Sequence, residues 1–256
     1  MKYNSGSTIP LSILSGIFSV LTLIGSSAIA QDNNIMQALS HRDRPSADAA
    51  DDARRKPAQV LAFAGLRSGM TVLELEAGGG YYTEILSRAV GSNGHVILQH
   101  PPGLMRFVGN GIDERTADNR LSNVRVSISN FDELDVPDSS VDMVTWILGP
   151  HEIGFLPDGN SLGDPIATFA EIARVLKPGG VFIASDHISP AGMGLESGGT
   201  LHRIAESIVT DLARRAGLTF EASSELLLNP DDPLDIGVFD PEIQGKTSQF
   251  LVRYRK

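Results

Sequence analysis

Short apolar runs, too brief and too β-branched for helices, alternate along this chain with segments whose apolar residues recur at helical spacing. Thr71 to Gly91 (TVLELEAGGGYYTEILSRAVG) shows the unit best: an apolar run, three consecutive glycines, then Ile85, Leu86 and Ala89 on one face of a helix over Tyr82 to Val90. Gly91 ends that helix, and His95 to Gln99 is a short strand stopped by Pro101 and Pro102, which cannot donate to a sheet ladder. Strand, helix and strand within so short a span form a parallel βαβ unit with a right-handed crossover. The alternation continues with strands at Val124 to Ile128 and Val141 to Ile147, the second introduced by the turn Pro137-Asp138-Ser139-Ser140. Asp164-Pro165 caps a helix carrying Ile166, Phe169, Ile172 and Leu176, and Lys177-Pro178-Gly179-Gly180 stops it before a fifth strand, Val181 to Ser185. One further helix carries Leu201, Ile204, Ile208 and Leu212 and ends at Gly217, and the last two strands are Thr219 to Leu226 and Phe250 to Tyr254. The pattern predicts an open α/β, doubly wound sheet with helices on both faces.

The N-terminal part reads differently. Leu11 to Gly25 is apolar but for Ser, Thr and Gly, Lys2 is the only charge before it, and the segment ends in an A-x-A pattern at Ala30. These features predict a secretory signal over residues 1–30, cleaved to leave Gln31 first, because the run is short of the ~20 residues of a spanning helix. The chain would then be exported, periplasmic or secreted, with no membrane span after cleavage. Residues 31–56 are mostly polar and predict a solvated lead-in; Pro57 opens a helix with Val60, Leu61 and Ala64 on one face, and Gly65 closes it. Residues 57–256 would form the one large domain.

Charge and composition remove several functions. Lys plus Arg number 21 against 31 Asp plus Glu, a net charge of −10, and the chain lacks the cationic surface that sequence-independent nucleic-acid binding needs. With no cysteine there is no disulfide, thiolate metal site or Cys nucleophile. No Gly-x-Ser-x-Gly elbow or Gly-x-x-x-x-Gly-Lys-Ser/Thr loop is present, which argues against an α/β-hydrolase and excludes a P-loop NTPase.

Ligands of open α/β sheets sit beyond the carboxyl ends of the strands. That rule selects Glu74 to Gly80, Gln99 and His100, Asn130 and Phe131, Gly149 to Glu152, and Asp186 with His187. Gly78, Gly79 and Gly80 let a backbone turn sharply against a ligand, and N–H groups at the following helix start favour a polar or anionic ligand group. His151, His187 and His202 could converge at one rim with Asp186 or Glu152, an acceptable N/O set, but their long separations have no metal-ligand spacing, so no metal is predicted. Asp138 and Ser140 read as turn formers and Trp146 as core.

ELEAGGG after a strand, PDSSVDMV, and FAEIARVLKPGG followed by VFIASD resemble the class I S-adenosylmethionine-dependent methyltransferases over about residues 57–256. AGGGYYT, LHRI and NPDDP followed by VFDPEIQGKTSQF are similar to a group of exported bacterial methyltransferases of unknown substrate. The resemblance implies a Rossmann-like, mostly parallel seven-stranded sheet with an antiparallel last strand at Phe250, S-adenosylmethionine as cofactor, and a small-molecule acceptor. It places the methionine end of the cofactor on Glu74, Glu76 and Gly78 to Gly80, the ribose at His100, and the adenine at Asn130 and Phe131.

The departures from the family pattern matter as much. Glu76 stands for the first loop glycine, His100 for the usual ribose-binding acid, and Asn130 for the adenine-side Asp. Neutral His100 can accept one hydrogen bond, and Asn130 keeps an acceptor. Glu76 either crowds the cofactor or attracts its positive charge. Methyl transfer needs an acceptor held in line, and a base only if the acceptor loses a proton. The resemblance and topology together make His151 the first choice for that base or orienting group, His187 the second, with Glu152 and Asp186 beside them. A non-catalytic ligand-binding or interaction protein on a degenerate methyltransferase fold is the alternative, and the oligomeric state is left open.

Overall fold

A computed structural model describes residues 33–256; the cleavage predicted after Ala30 lies outside them. The helices are α1 (33–39), α2 (Ser46–Arg55), α3 (Pro57–Ala64), α4 (Tyr81–Val90), α5 (Met105–Val108), α6 (Gly111–Thr116), α7 (Pro165–Val175), α8 (Glu196–Leu201) and α9 (Glu206–Arg215). The strands are β1 (Thr71–Leu75), β2 (His95–His100), β3 (Val124–Ile128), β4 (Val141–Ile147), β5 (Leu176–His187), β6 (Thr219–Ser223) and β7 (Gln249–Arg255).

The seven strands form one sheet in the order β3-β2-β1-β4-β5-β7-β6. β1 to β5 pair in parallel, and β7 runs antiparallel between β5 and β6. The order reverses between β1 and β4, so the crevice of a doubly wound sheet opens at their carboxyl ends. Each face has its own core. Val60 and Leu61 of α3 and Ile85 and Leu86 of α4 cover one face together with Ile35 and Ala38 of α1. Phe169 and Ile172 of α7 and Val209 and Leu212 of α9 cover the other, around Trp146, Phe131 and Phe182. Central strands buried on both faces read as nearly continuous apolar runs, which is why periodicity located β1, β2 and β4 so well.

Three expectations change. The polar stretch before Pro57 is no solvated lead-in: α1 buries Ile35 and Ala38, and α2 is held to α4 by ion pairs. Arg44 binds Asp52 through two contacts of 2.6 and 2.5 Å, and the Tyr81 hydroxyl donates to the same carboxylate at 2.6 Å. Arg115 joins Asp48 of α2 at 2.6 Å to Glu84 of α4 at 3.3 Å, and Arg88 and Arg120 complete the shell around the fully buried Glu84. Charges that read as solvated in one dimension are spent on each other in three. β5 begins earlier than Val181, at Leu176, since Leu176 pairs with Val141 before the bulge that admits Lys177 to Gly180. The single helix through Leu201 and Ile208 is two, α8 and α9, broken at His202 with φ 52.

Candidate functional site

The turn after β1 is the floor of the crevice. Glu76 takes φ 48, the left-handed conformation in which glycine is at ease and a side chain costs about 1–2 kcal/mol. It is held there from below: its N–H donates to Gln99 Oε1 at 3.1 Å, Ala77 N–H donates to the Gln99 carbonyl at 3.2 Å, and Gln99 Nε2 donates to the Ser129 carbonyl at 2.7 Å. The fully buried Gln99 thus ties the ends of β1, β2 and β3 together. Gly80 N–H donates back to the Ala77 carbonyl at 2.9 Å, which closes the turn and starts α4. A Cβ built on Gly78 or Gly79 would meet no atom within 4 Å. The backbone there borders open space.

That space is two cavities sharing the wall Glu76, Gly78 and Gly79, of ≈ 380 Å³ and ≈ 390 Å³. The first lies under α2 and carries charges of both signs, Asp48 and Asp51 against Arg55 and Arg115, with the Glu74 carboxyl beside them. Burial pushes the Glu74 carboxyl up to about 8, against a weaker opposing effect of the Thr83 hydroxyl, which donates to its Oε2 at 2.5 Å. The second is lined by Leu104, Phe107, Val108, Phe155 and Phe239, with His100, Glu152 and His202 as its polar groups.

His100 is buried, and burial lowers its pKa, so the ring is neutral at pH 7. Its Nε2 lies 3.2 Å from the Gly78 carbonyl, a contact that assigns the N–H to Nε2 and leaves Nδ1 with a free lone pair. A sugar hydroxyl is a fitting donor for it. Open glycine backbone, a mixed-charge cavity suited to an amino-acid group, and this lone acceptor fit the nucleoside and methionine parts of S-adenosylmethionine. Asn130 and Phe131, by contrast, line neither cavity: Phe131 is wholly buried against Trp146, ring centroids 4.8 Å apart. The Phe131 ring therefore serves the core, and an adenine contact at this position would not come from its face.

Beyond β4 and β5 a second group of polar side chains meets. Asp186 is fully buried and accepts the backbone N–H groups of His151 and His187 at 2.7 Å each. Both its oxygens also lie 3.0 Å from His151 Nδ1, which turns His151 Nε2 toward Glu152 Oε1 at 3.3 Å. Burial works against a proton on His151, but the Asp186 and Glu152 carboxylates together outweigh it and raise the pKa well above the ordinary imidazole value. The ordinary pKa that would suit a base at neutrality is therefore not the one this histidine has.

His187 turns away: its Nδ1 lies 2.6 Å from Thr247 Oγ1, and burial pushes its pKa down to about 4. The histidine that joins His151 is His202, whose ring stands edge-on at 5.4 Å between centroids. Backbone packing brings it there. A Cβ on Gly154 would sit 1.8 Å from the Leu195 carbonyl oxygen, and one on Gly198 would sit 2.1 Å from that of His151, so only glycines let α8 press onto the turn Pro150–Gly154. The sequence signal for this was Gly154 with Gly198-Gly199, and nothing local says that they face each other.

Glu76 links the two halves of the site. Its carboxyl is buried with Oε2 unpartnered, and burial together with the Glu152 carboxylate raises its pKa well above the usual range. A Cβ on Gly149 would lie 2.3 Å from Glu76 Oε2 and 2.3 Å from Trp146 Nε1, so this glycine makes room for the Glu76 side chain.

Comparison with known proteins gives the family. A family model described as a methyltransferase domain matches residues 66–216. A ubiquinone/menaquinone biosynthesis C-methyltransferase of Hydrogenovibrio crunogenus is 32% identical over 121 residues, 47% of this chain and 43% of that protein. A demethylmenaquinone methyltransferase of Staphylococcus aureus is 34% identical over 132 residues, 52% of this chain and 49% of that protein. The chain spans about half the length of the curated relatives it matches. Among solved structures, a SAM-dependent methyltransferase from Aquifex aeolicus shares the fold with a TM-score of 0.59 and 24% identity, over 82% of this chain and 95% of that one. One from Mesorhizobium loti does so with a TM-score of 0.57 and 18% identity, over 80% and 99%. The chain belongs to the class I S-adenosylmethionine-dependent methyltransferases.

Proposed function

We propose that this chain transfers a methyl group from S-adenosylmethionine to a small aromatic acceptor bound in the second cavity. The observation that carries the proposal is the bare Gly78–Gly79 backbone, the common wall of a charged cavity and an aromatic one. When bound, the cofactor supplies a methyl group on a positively charged sulfur, open to in-line attack by an electron-rich atom. Asp48, Asp51, Arg55 and Arg115 meet the charges of its amino-acid end, the protonated Glu74 carboxyl offers it a neutral hydrogen-bonding group, and His100 Nδ1, on the wall of the second cavity, accepts from a ribose hydroxyl. Phe107, Phe155 and Phe239 offer a flat acceptor its apolar walls, where water is excluded and orientation is gained. The two quinone-pathway relatives support an aromatic acceptor. His151 lines neither cavity itself; fixed by Asp186 from behind, it sets Glu152 and His202 at the edge of the second cavity, and through them orients that acceptor. No helix among the described residues is long and apolar enough to cross a membrane, which is compatible with an acceptor reached from water.

A second reading, ligand binding without methyl transfer, is favoured by one observation: the Glu76 side chain occupies a glycine conformation beside the place the cofactor would take. Calorimetric titration with S-adenosylmethionine, read in parallel by the fluorescence of the chain's one tryptophan, Trp146, tests the cofactor site. No heat and no emission change would sink methyl transfer and favour the second reading. Screening phenols and quinols for S-adenosylhomocysteine production then separates them, since binding without any product favours the second. With an acceptor in hand, His151→Ala is expected to lower turnover roughly tenfold or more while cofactor affinity stays within about twofold. Full activity in that variant would remove His151 from the mechanism.

A further inference from the structure

We infer that His151, Glu152 and His202 form a binding site for one divalent first-row transition cation of the Zn²⁺ type, at the edge of the second cavity. One ligand atom from each of the three lies within 4.8 Å of the other two. The spacing of the first pair is the telling one. A charge-assisted hydrogen bond between an imidazolium and a carboxylate closes to ~2.7–2.9 Å. Nε2 of His151 and Oε1 of Glu152 stand at 3.3 Å, whereas two atoms bound at ~2.0–2.1 Å to one tetrahedral ion lie ~3.3–3.4 Å apart.

The surroundings point the same way. Asp186 holds His151 by Nδ1 and leaves Nε2 as the outward nitrogen, the carboxylate–histidine arrangement that orients an imidazole toward a metal. Glu152 is only 8% exposed, yet its Oε2 has no partner. Nearby Glu76 Oε2 is likewise buried and unpartnered. Among the described residues, no Lys or Arg forms an ion pair with Glu76, Glu152 or Asp186. Three carboxyl groups thus converge with imidazoles as their only cationic partners. A divalent ion would displace the proton from His151 Nε2 and give the unpartnered Glu152 carboxylate its missing partner. Two imidazoles and one carboxylate suit Zn²⁺, Fe²⁺ or Co²⁺ rather than Mg²⁺ or Ca²⁺, which prefer all-oxygen shells.

His202 is the residue that makes this a site rather than a pair. It holds φ 52 where α8 ends, with its ring wedged between those of Phe155 and Phe239 at centroid distances of 5.2 and 4.9 Å. Three protein ligands leave a fourth position, and because Glu152 and His202 both line the second cavity that position faces it. An oxygen of the acceptor could take it; this last point alone rests on the function proposed above.

The test uses metal alone, with neither cofactor nor acceptor. The chain, freed of metal by chelation, is titrated with Zn²⁺ by calorimetry, and Co²⁺ is followed by its visible absorption. One Zn²⁺ per chain at micromolar affinity or better is expected, with Mg²⁺ at the same concentrations giving no comparable heat. Glu152→Gln and His202→Asn should each weaken Zn²⁺ binding at least about tenfold; Asn is chosen because it tolerates the left-handed conformation. Absence of Zn²⁺ binding, or wild-type affinity in both folded variants, would overturn the site. Should a variant fail to fold, anomalous diffraction from Zn²⁺-soaked wild-type crystals decides: an ion between His151 Nε2, Glu152 and His202 supports it, and an ion elsewhere or none overturns it.

Discussion

Glu74→Gln should stabilise the protein, and by an amount that grows with pH. Glu74 is 5% exposed at the end of β1, and its carboxyl is pushed up to about 8 chiefly by burial. In the unfolded chain the same group titrates near 4.5. Between those two values the folded protein keeps a proton that the unfolded chain releases, so folding stability falls by about 1.4 kcal/mol for each pH unit. The loss begins near the lower value and ends near the higher one, the reverse of a carboxylate stabilised by an ion pair. From pH 5 to pH 7 it amounts to about 2–3 kcal/mol, and by pH 8.5 to about 4 kcal/mol. Gln keeps an acceptor for the Thr83 hydroxyl and has no proton to lose in this range. Urea unfolding of wild type and Glu74→Gln at pH 5, 7 and 8.5 isolates the effect, because every other titrating group is common to both chains. The gap between the two should open steadily in favour of the variant. A gap independent of pH would refute the buried, proton-retaining Glu74 and with it the low-dielectric floor of the charged cavity.

Two further expectations concern stability. Glu76→Gly removes a left-handed non-glycine residue and a buried carboxyl together, and should raise unfolding free energy by at least about 1 kcal/mol; a less stable variant in urea would mean that the Glu76 side chain is held by contacts worth more than the strain. Arg203 and Asp232 form a fully buried, two-contact ion pair at 2.8 and 2.9 Å. Arg203→Met strands the Asp232 carboxylate and should cost about 3–5 kcal/mol, much of it recovered when Asp232→Asn is added; equal stabilities of the single and double variants in a urea series would contradict that account.

What the sequence determined by itself was whatever depends on neighbours along the chain. A strand buried on both faces reads as a nearly continuous apolar run, so β1, β2 and β4 could be read directly, and Asp164-Pro165 starts α7 with the Asp164 side chain accepting from Ala167 N–H at 2.9 Å. Alternation of such elements leaves few topologies, and the carboxyl ends of the strands followed as the rim where Glu74, Glu76, Gly78, Gly79 and His100 do line cavities. Tertiary structure alone decided which polar residues meet. α2 looked solvated because its partners Arg115 and Tyr81 lie far away in sequence. Phe131 could be placed at the rim by its position but not turned toward it, since its direction is set by packing on Trp146. His187 and His202 were equivalent in one dimension; Thr247 turned the first aside, and two glycines in backbone contact brought the second to His151. Local periodicity encodes the elements because each residue's burial follows its own segment. A site depends instead on where side chains from separate segments point, and that direction exists only once the segments are packed.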